Sequence, residues 1–143
     1  MPLQISQADM HYFASAIWAL ARSESADAQA ALAWLILNRM ETAADALKSD
    51  QIDRNRYGDG TLTDACNSVL TDEGLSREGR TPCKTGFGDN EYCRAFSVAC
   101  RVWNGDQVDP ANGALDFHHH YECPEWATDR EPSALIGSRF FYP

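Results

Sequence analysis

Ala14-Ser-Ala-Ile-Trp-Ala-Leu-Ala-Arg-Ser-Glu24-Ser-Ala-Asp-Ala-Gln29-Ala-Ala-Leu-Ala-Trp-Leu-Ile-Leu-Asn38-Arg39 joins two apolar helical patterns, with a lone glutamate, Glu24, at the seam. Upstream, Met10, Phe13, Ala14, Ile17, Leu20 and Ala21 recur at the i, i+3, i+4, i+7 spacing of one helical face. Ser6, with Asp9 three residues on, supplies a capping start. From Ala28 to Leu37 apolar residues run almost all the way round, as in a helix buried on most sides. That second helix is expected to be the core of the domain. At Glu24 the dipole of the following helix favours a carboxylate, whereas apolar burial favours the proton-bearing form. An acid so placed can be tuned for proton transfer. The alternative is an ordinary first-turn carboxylate, which stabilises a helix by about 0.3 to 1 kcal/mol.

The 143 residues correspond to a single domain spanning 1–143. A chain of this length buries a core without needing metals or disulfides merely to fold. Its net charge of −9, with no cluster of Lys or Arg, repels a nucleic-acid backbone and argues against nucleic acid as a partner. The longest apolar run, Ala30 to Leu37, falls far short of the roughly 20 residues a membrane span needs. Met1 to Met10 offers no cationic or apolar leader pattern, and the first basic residue is Arg22, so no signal peptide is expected.

Five cysteines, Cys66, Cys83, Cys93, Cys100 and Cys123, leave at least one unpaired within a monomer. Cys93 and Cys100 lie on one predicted helix, roughly 10 Å apart along its axis, too far to bridge each other. A disulfide would therefore join Cys66 to Cys83, or a helix cysteine to Cys123. Alternatively, the helix cysteines are small buried apolar residues. No CxxC pair exists, which argues against a zinc ribbon.

Thr42 to Asn90 is rich in Gly, Asp, Asn, Ser and Thr and reads as loops with short helical pieces such as Leu62 to Leu70. Long irregular stretches of this kind often form binding surfaces. Tyr92, Ala95, Phe96, Ala99, Val102 and Trp103 then mark one face of a further helix, which Gly105 is placed to stop. After the turn-rich Asp109-Pro-Ala-Asn-Gly113, the run Ala114 to Tyr121 alternates as a strand does. Leu115, Phe117, His119 and Tyr121 are expected on one face, and Asp116, His118, His120 and Glu122 on the other. The second face could hold a metal through His118 and His120, with a third ligand from Asp116, Glu122 or Cys123. The helical metalloprotease signatures are absent, so a wall of imidazoles and aromatics lining a sugar groove is the preferred reading, with a solvated strand face as the alternative.

Ala21-Arg22-Ser23-Glu24, Gln29-Ala-Ala-Leu-Ala and Leu37-Asn38-Arg39 resemble the A-R-G-E, G-Q-x-A-V-A and L-N-R blocks of the SleB/CwlJ-like cell-wall hydrolases. The resemblance continues through Trp103-Asn-Gly105, Asp109-Pro110-Ala-Asn-Gly113-Ala114, the histidine strand, Pro124-Glu-Trp126-Ala127 and Ile136-Gly137-Ser-Arg-Phe-Phe141-Tyr142. It implies an α+β, mostly helical, lysozyme-like domain with a small β element. It also implies cleavage of peptidoglycan glycan strands between N-acetylmuramic acid and N-acetylglucosamine, without metal or other cofactor. In lytic transglycosylases one carboxyl protonates the leaving oxygen, the muramoyl 6-hydroxyl closes on C1, and the same carboxylate serves as base.

Glu24 is the catalytic candidate, and Glu24-Ser25 resembles the E-S dyad of other lysozyme-superfamily transglycosylases. Ser25, Asn112, His118, His120, Tyr121 and Trp126 are the expected substrate contacts, although Trp126 could equally be core. Asp27, Asp89 and Asp116 are candidate second carboxylates. The chain departs from the family pattern at Leu20, where the resemblance places the usual acid, at Ser23 for Gly, and at Arg139 for the terminal His. Phe87-Gly88 is the nearest counterpart of the family's F-S block.

Three functions follow as expectations. The first is a peptidoglycan-cleaving glycosidase or lytic transglycosylase, cytoplasmic until a holin releases it or carried on a virion tail, as a phage or prophage lysin. The second is an inactive wall-binding or structural virion component, and the third a metal-dependent amidase or peptidase.

Overall fold

The computed structural model describes residues 4–48, 57–75 and 90–143. Ser6 Oγ accepts the Asp9 backbone N–H at 3.0 Å and starts α1 (Gln7–Ala21), as its spacing predicts. Met10, Phe13, Ala14, Ile17, Leu20 and Ala21 all point into the core. The chain turns over Arg22 to Ser25, and Ser25 Oγ accepts the Ala28 N–H at 3.2 Å to cap α2 (Ala26–Lys48). α2 runs well past its apolar stretch, because Arg39, Ala43 and Ala46 continue the buried stripe at helical spacing.

Thr61 caps α3 (Leu62–Asp72) through its hydroxyl, which accepts the Asp64 N–H at 3.2 Å. This helix extends two residues beyond the expected Leu70 before Gly74, at φ +80°, turns the chain away. In α4 (Asn90–Trp103) Tyr92, Ala95, Val98, Ala99 and Val102 are buried. Gly105, also at φ +80°, ends it: the Asp106 N–H reaches back to the Arg101 carbonyl at 2.9 Å. α1 packs against α4 and α3, while α2 lies across both.

A small antiparallel sheet closes the domain, in the order β1 (Asp116–His119), β3 (Arg139–Tyr142), β2 (Ala134–Ile136). Pairing of Phe117 with Phe141 and of His119 with Arg139 sets these four on the face toward the helices. Asp116, His118, Phe140 and Tyr142 occupy the other face. The expected alternation therefore holds through His119 and fails beyond it. β1 stops there and the chain turns, the Glu122 N–H reaching the His119 carbonyl at 2.9 Å, so His120 and Tyr121 are exposed. This architecture of helices with a small sheet is the α+β, mostly helical arrangement expected from the sequence.

Arg39, 1 % exposed, fastens the sheet to the helices. Its Nε donates to the Leu115 carbonyl at 2.7 Å, Nη1 to Ser68 Oγ at 3.1 Å and Nη2 to Asp72 Oδ2 at 2.7 Å. Asp116 Oδ1 lies 3.5 Å from Nη2, and the guanidinium covers the Tyr57 ring. The preceding residue, Asn38, donates to Asp109 and to the Ala114 carbonyl, holding the loop that delivers β1. In that loop Asn112 adopts φ 60°, a conformation its short polar side chain tolerates.

Cys66 is buried in the core. Cys100 is a half-buried free thiol and Cys123 an exposed one, so a bridge from a helix cysteine to Cys123 is not formed. Cys83 lies outside the described residues.

Two measurements check this packing. Arg39→Ala leaves Asp116 with Arg130 alone and the Leu115 carbonyl and Ser68 without their donor, and should lower the unfolding free energy by about 3 kcal/mol or more in urea titration, as loss of one partner from a buried network does. Burial pushes the Cys100 thiol up from its ordinary value, so its thiolate is scarce at neutral pH. Alkylation read by peptide mass should therefore modify Cys123 first, with Cys100 catching up only as pH rises.

Candidate active site

The sheet and α3 enclose a cleft of about 780 Å³. α3 lines it with Asp64, Asn67, Ser68, Thr71 and Asp72, one stripe at helical spacing. β1 supplies Asp116, Phe117 and His118, and the following loop supplies Glu122, Pro124 and Trp126.

Asp116 is held from two sides, by Arg130 Nη1 at 2.9 Å and Arg39 Nη2 at 3.5 Å, with the Tyr57 hydroxyl 3.4 Å away. His118 commits both ring nitrogens, Nε2 to the Tyr142 hydroxyl at 2.8 Å and Nδ1 to the His119 carbonyl at 2.7 Å. Around it stand Trp126, Phe140 and Tyr142, with ring centroids 5.4 to 5.7 Å away. Arg130 stacks over both Trp126 and Tyr142. Trp126 is 43 % exposed, so it belongs to the cleft wall rather than to the core. A rigid aromatic and imidazole wall opposite a helix bearing hydroxyls, amides and carboxylates suits a polar ring with apolar faces, such as a sugar.

A second cluster forms where the helices meet β3. Arg139, 2 % exposed, donates from Nη1 to Glu24 Oε2 at 2.7 Å. From Nη2 it donates to Glu73 Oε1 at 2.5 Å and to the Leu20 carbonyl at 3.0 Å. Glu73 Oε1 also meets His119 Nε2 at 2.7 Å, and Ser138 Oγ lies 3.4 Å from the other nitrogen of that ring. Gly137, at φ 61°, lets β3 approach, because a Cβ there would stand 2.8 Å from Glu24 Oε1. Arg94 donates to the Glu24 carbonyl, tying the turn to α4.

The expected site residues divide between these places. His118 and Trp126 come together in the cleft. Glu24 sits at the α1–α2 turn in the arginine cluster, and Ser25 beside it caps α2. Asn112, His120 and Tyr121 are exposed in loops and do not line the cleft. Of the second-carboxylate candidates, Asp116 is buried between two guanidinium groups, Asp27 is exposed in the first turn of α2, and Asp89 lies outside the described residues, as do Phe87 and Gly88. Among the described residues no group of three or more His, Cys, Asp or Glu could hold a metal ion.

Glu73 and the pairing role of His119 were not singled out from the sequence. Glu73 follows an apolar helical stripe in a polar region and carries no motif. His119 stood out only as the inward neighbour of His118.

No protein-family profile and no curated protein matches the sequence. Two solved structures match the fold over the whole chain. The catalytic domain of the germination-specific lytic transglycosylase SleB from Bacillus anthracis is 20% identical, with a TM-score of 0.66 and all of both chains covered. The catalytic domain of the Bacillus cereus SleB protein is 21% identical, with a TM-score of 0.60, covering all of this chain and 95% of that one. The chain has a SleB-like fold. In this chain one continuous series of contacts, Glu24 to Arg139 to Glu73 to His119, joins the α1–α2 turn to the sheet and the end of α3.

Proposed function

We propose that the protein cleaves the glycan strands of peptidoglycan by the lytic transglycosylase route, with Glu24 as proton donor and the cleft beside α3 as the glycan site. The observation that carries this reading is the SleB-like fold over the full chain; a carboxyl at the α1–α2 turn and an aromatic-walled, polar cleft beside α3 support it.

Glu24 has one oxygen committed to Arg139, while among the described residues Oε1 accepts no hydrogen bond. The side chain is 25% exposed, so that oxygen can carry a proton toward a glycosidic oxygen. Protonation lets the C1–O bond break with its electron pair on the leaving oxygen. The muramoyl 6-hydroxyl then attacks C1 and returns its proton to Glu24, leaving an anhydro end. In the cleft, Trp126 stacks on a sugar face, His118 braces it from below, and Asn67, Ser68 and Thr71 meet the ring hydroxyls.

Wall binding without cleavage is the second reading, and Leu20 favours it. Leu20 is 6 % exposed and its carbonyl accepts from Arg139, so its position is packed and carries no acid. The two readings separate on purified peptidoglycan digested to completion, with fragments identified by mass. Wild type should release anhydromuramoyl fragments, and Glu24→Gln should lower kcat by about 100-fold or more, the usual weight of a general acid. Bound but uncut glycan from wild type would establish the binding reading. Trp126→Ala should raise KM about 3- to 10-fold with little change in kcat, as expected for one lost stacking contact.

A further inference from the structure

Arg139 is buried and needs one counter-charge, which Glu24 supplies. A second carboxylate on the same guanidinium, Glu73, adds like-charge repulsion that folding alone does not require. Glu73 directly follows cleft-lining Asp72 in the chain, and its partner His119 directly follows cleft-lining His118, so the cluster adjoins in sequence the elements that line the cleft. The two nitrogens that hold the carboxyls share one carbon in a planar fork. Bonds of 2.7 and 2.5 Å therefore keep Glu24 Oε2 and Glu73 Oε1 no more than roughly 7 to 8 Å apart, a bound that admits the spacing of about 5 to 9.5 Å used by glycosidase pairs.

We infer that Glu73 is the second catalytic carboxylate, facing the anomeric carbon, and that Arg139 is the positioning residue that sets its distance from Glu24. This rests on the cleavage reading above. The division of labour follows from the hydrogen bonds. Glu73 Oε1 meets both His119 and Arg139, and its side chain is 13% exposed, so it serves as a fixed negative charge. Among the described residues its Oε2 accepts no hydrogen bond. As Glu24 protonates the glycosidic oxygen and the C1–O pair departs with it, positive charge spreads over C1 and the ring oxygen. Glu73 opposes that charge until the muramoyl O6 bonds to C1 and its proton passes to Glu24. No other reactant is consumed.

The test is peptidoglycan digestion by wild type, Glu73→Gln, Glu73→Ala and Arg139→Lys, with thermal unfolding of each. Glu73→Gln should lower kcat about 100-fold or more with KM within about 3-fold of wild type. Glu73→Ala should regain at least about 10-fold of its lost rate in roughly molar formate, a rescue that a purely structural residue would not show. Arg139→Lys should keep KM and lose kcat about 10-fold, since an ammonium cannot hold two carboxyls in one fork. If Glu73→Gln fails to fold, Glu73→Asp keeps the charge and withdraws the carboxyl, and a kcat loss of about 10-fold at an unchanged Tm supports the assignment. Active wild type with Glu73→Gln, or Glu73→Asp in its place, within about 3-fold of it and no formate rescue overturns this inference while leaving the cleavage reading intact. Inactive wild type brings down both.

Discussion

Two buried guanidinium groups hold this molecule together. Arg39 and Arg139 are the largest fully buried side chains among the described residues, and each reaches from a helix or strand to structure far along the chain. The reason lies in the sheet, whose strands of three or four residues are too short to be stable alone. Phe117, Phe141, Ala134 and Ile136 lay it on the helical core, but apolar contact does not fix its register or angle. Arg39 does so for β1, through the Leu115 carbonyl and Asp116, and Arg139 does so for β3, through the Leu20 carbonyl, Glu24 and Glu73.

Burying a guanidinium costs several kcal/mol of lost hydration, which only well-placed acceptors offset. Arg39 meets the demand at all three nitrogens, whereas Arg139 leaves its Nε without a partner among the described residues. Arg39 is thus the better-satisfied of the two ties. The two carboxylate partners of Arg139 have different neighbours and different exposure, which is how one cluster can offer both a proton carrier and a fixed charge.

The helices were legible because their signals are local. Ser6, Thr61 and Gly105 act within a turn of where they stand, and the apolar spacing of α1, α2 and α4 repeats over many residues. The arginine ties were not, because their partners lie 66 to 119 residues away for Arg139 and 29 to 77 for Arg39. His120 and Tyr121 were misplaced for a related reason. Alternation continues in the sequence after His119, but the strand ends where its partner β3 begins at Arg139, and a partner's boundary is not written in the strand itself. Glu24 was legible as an acid at a helix seam, whereas Glu73 acquires meaning only from the guanidinium that β3 brings to it.

The acidic character of the chain fits a wall-directed role once its charges are placed. Peptidoglycan material is itself largely anionic, so a net charge of −9 offers no electrostatic steering toward it. Two of the acids that line the cleft are, however, paired within the protein: Asp72 with Arg39, and Asp116 with Arg39 and Arg130. On the proposed reading, a glycan approaching the cleft would meet less repulsion there than the net charge implies, and its affinity would come from shape, stacking and hydrogen bonds. The ion pairs that hold the sheet in place are the same ones that quiet the charge of the cleft, so the scaffold and the binding surface were solved by one set of residues.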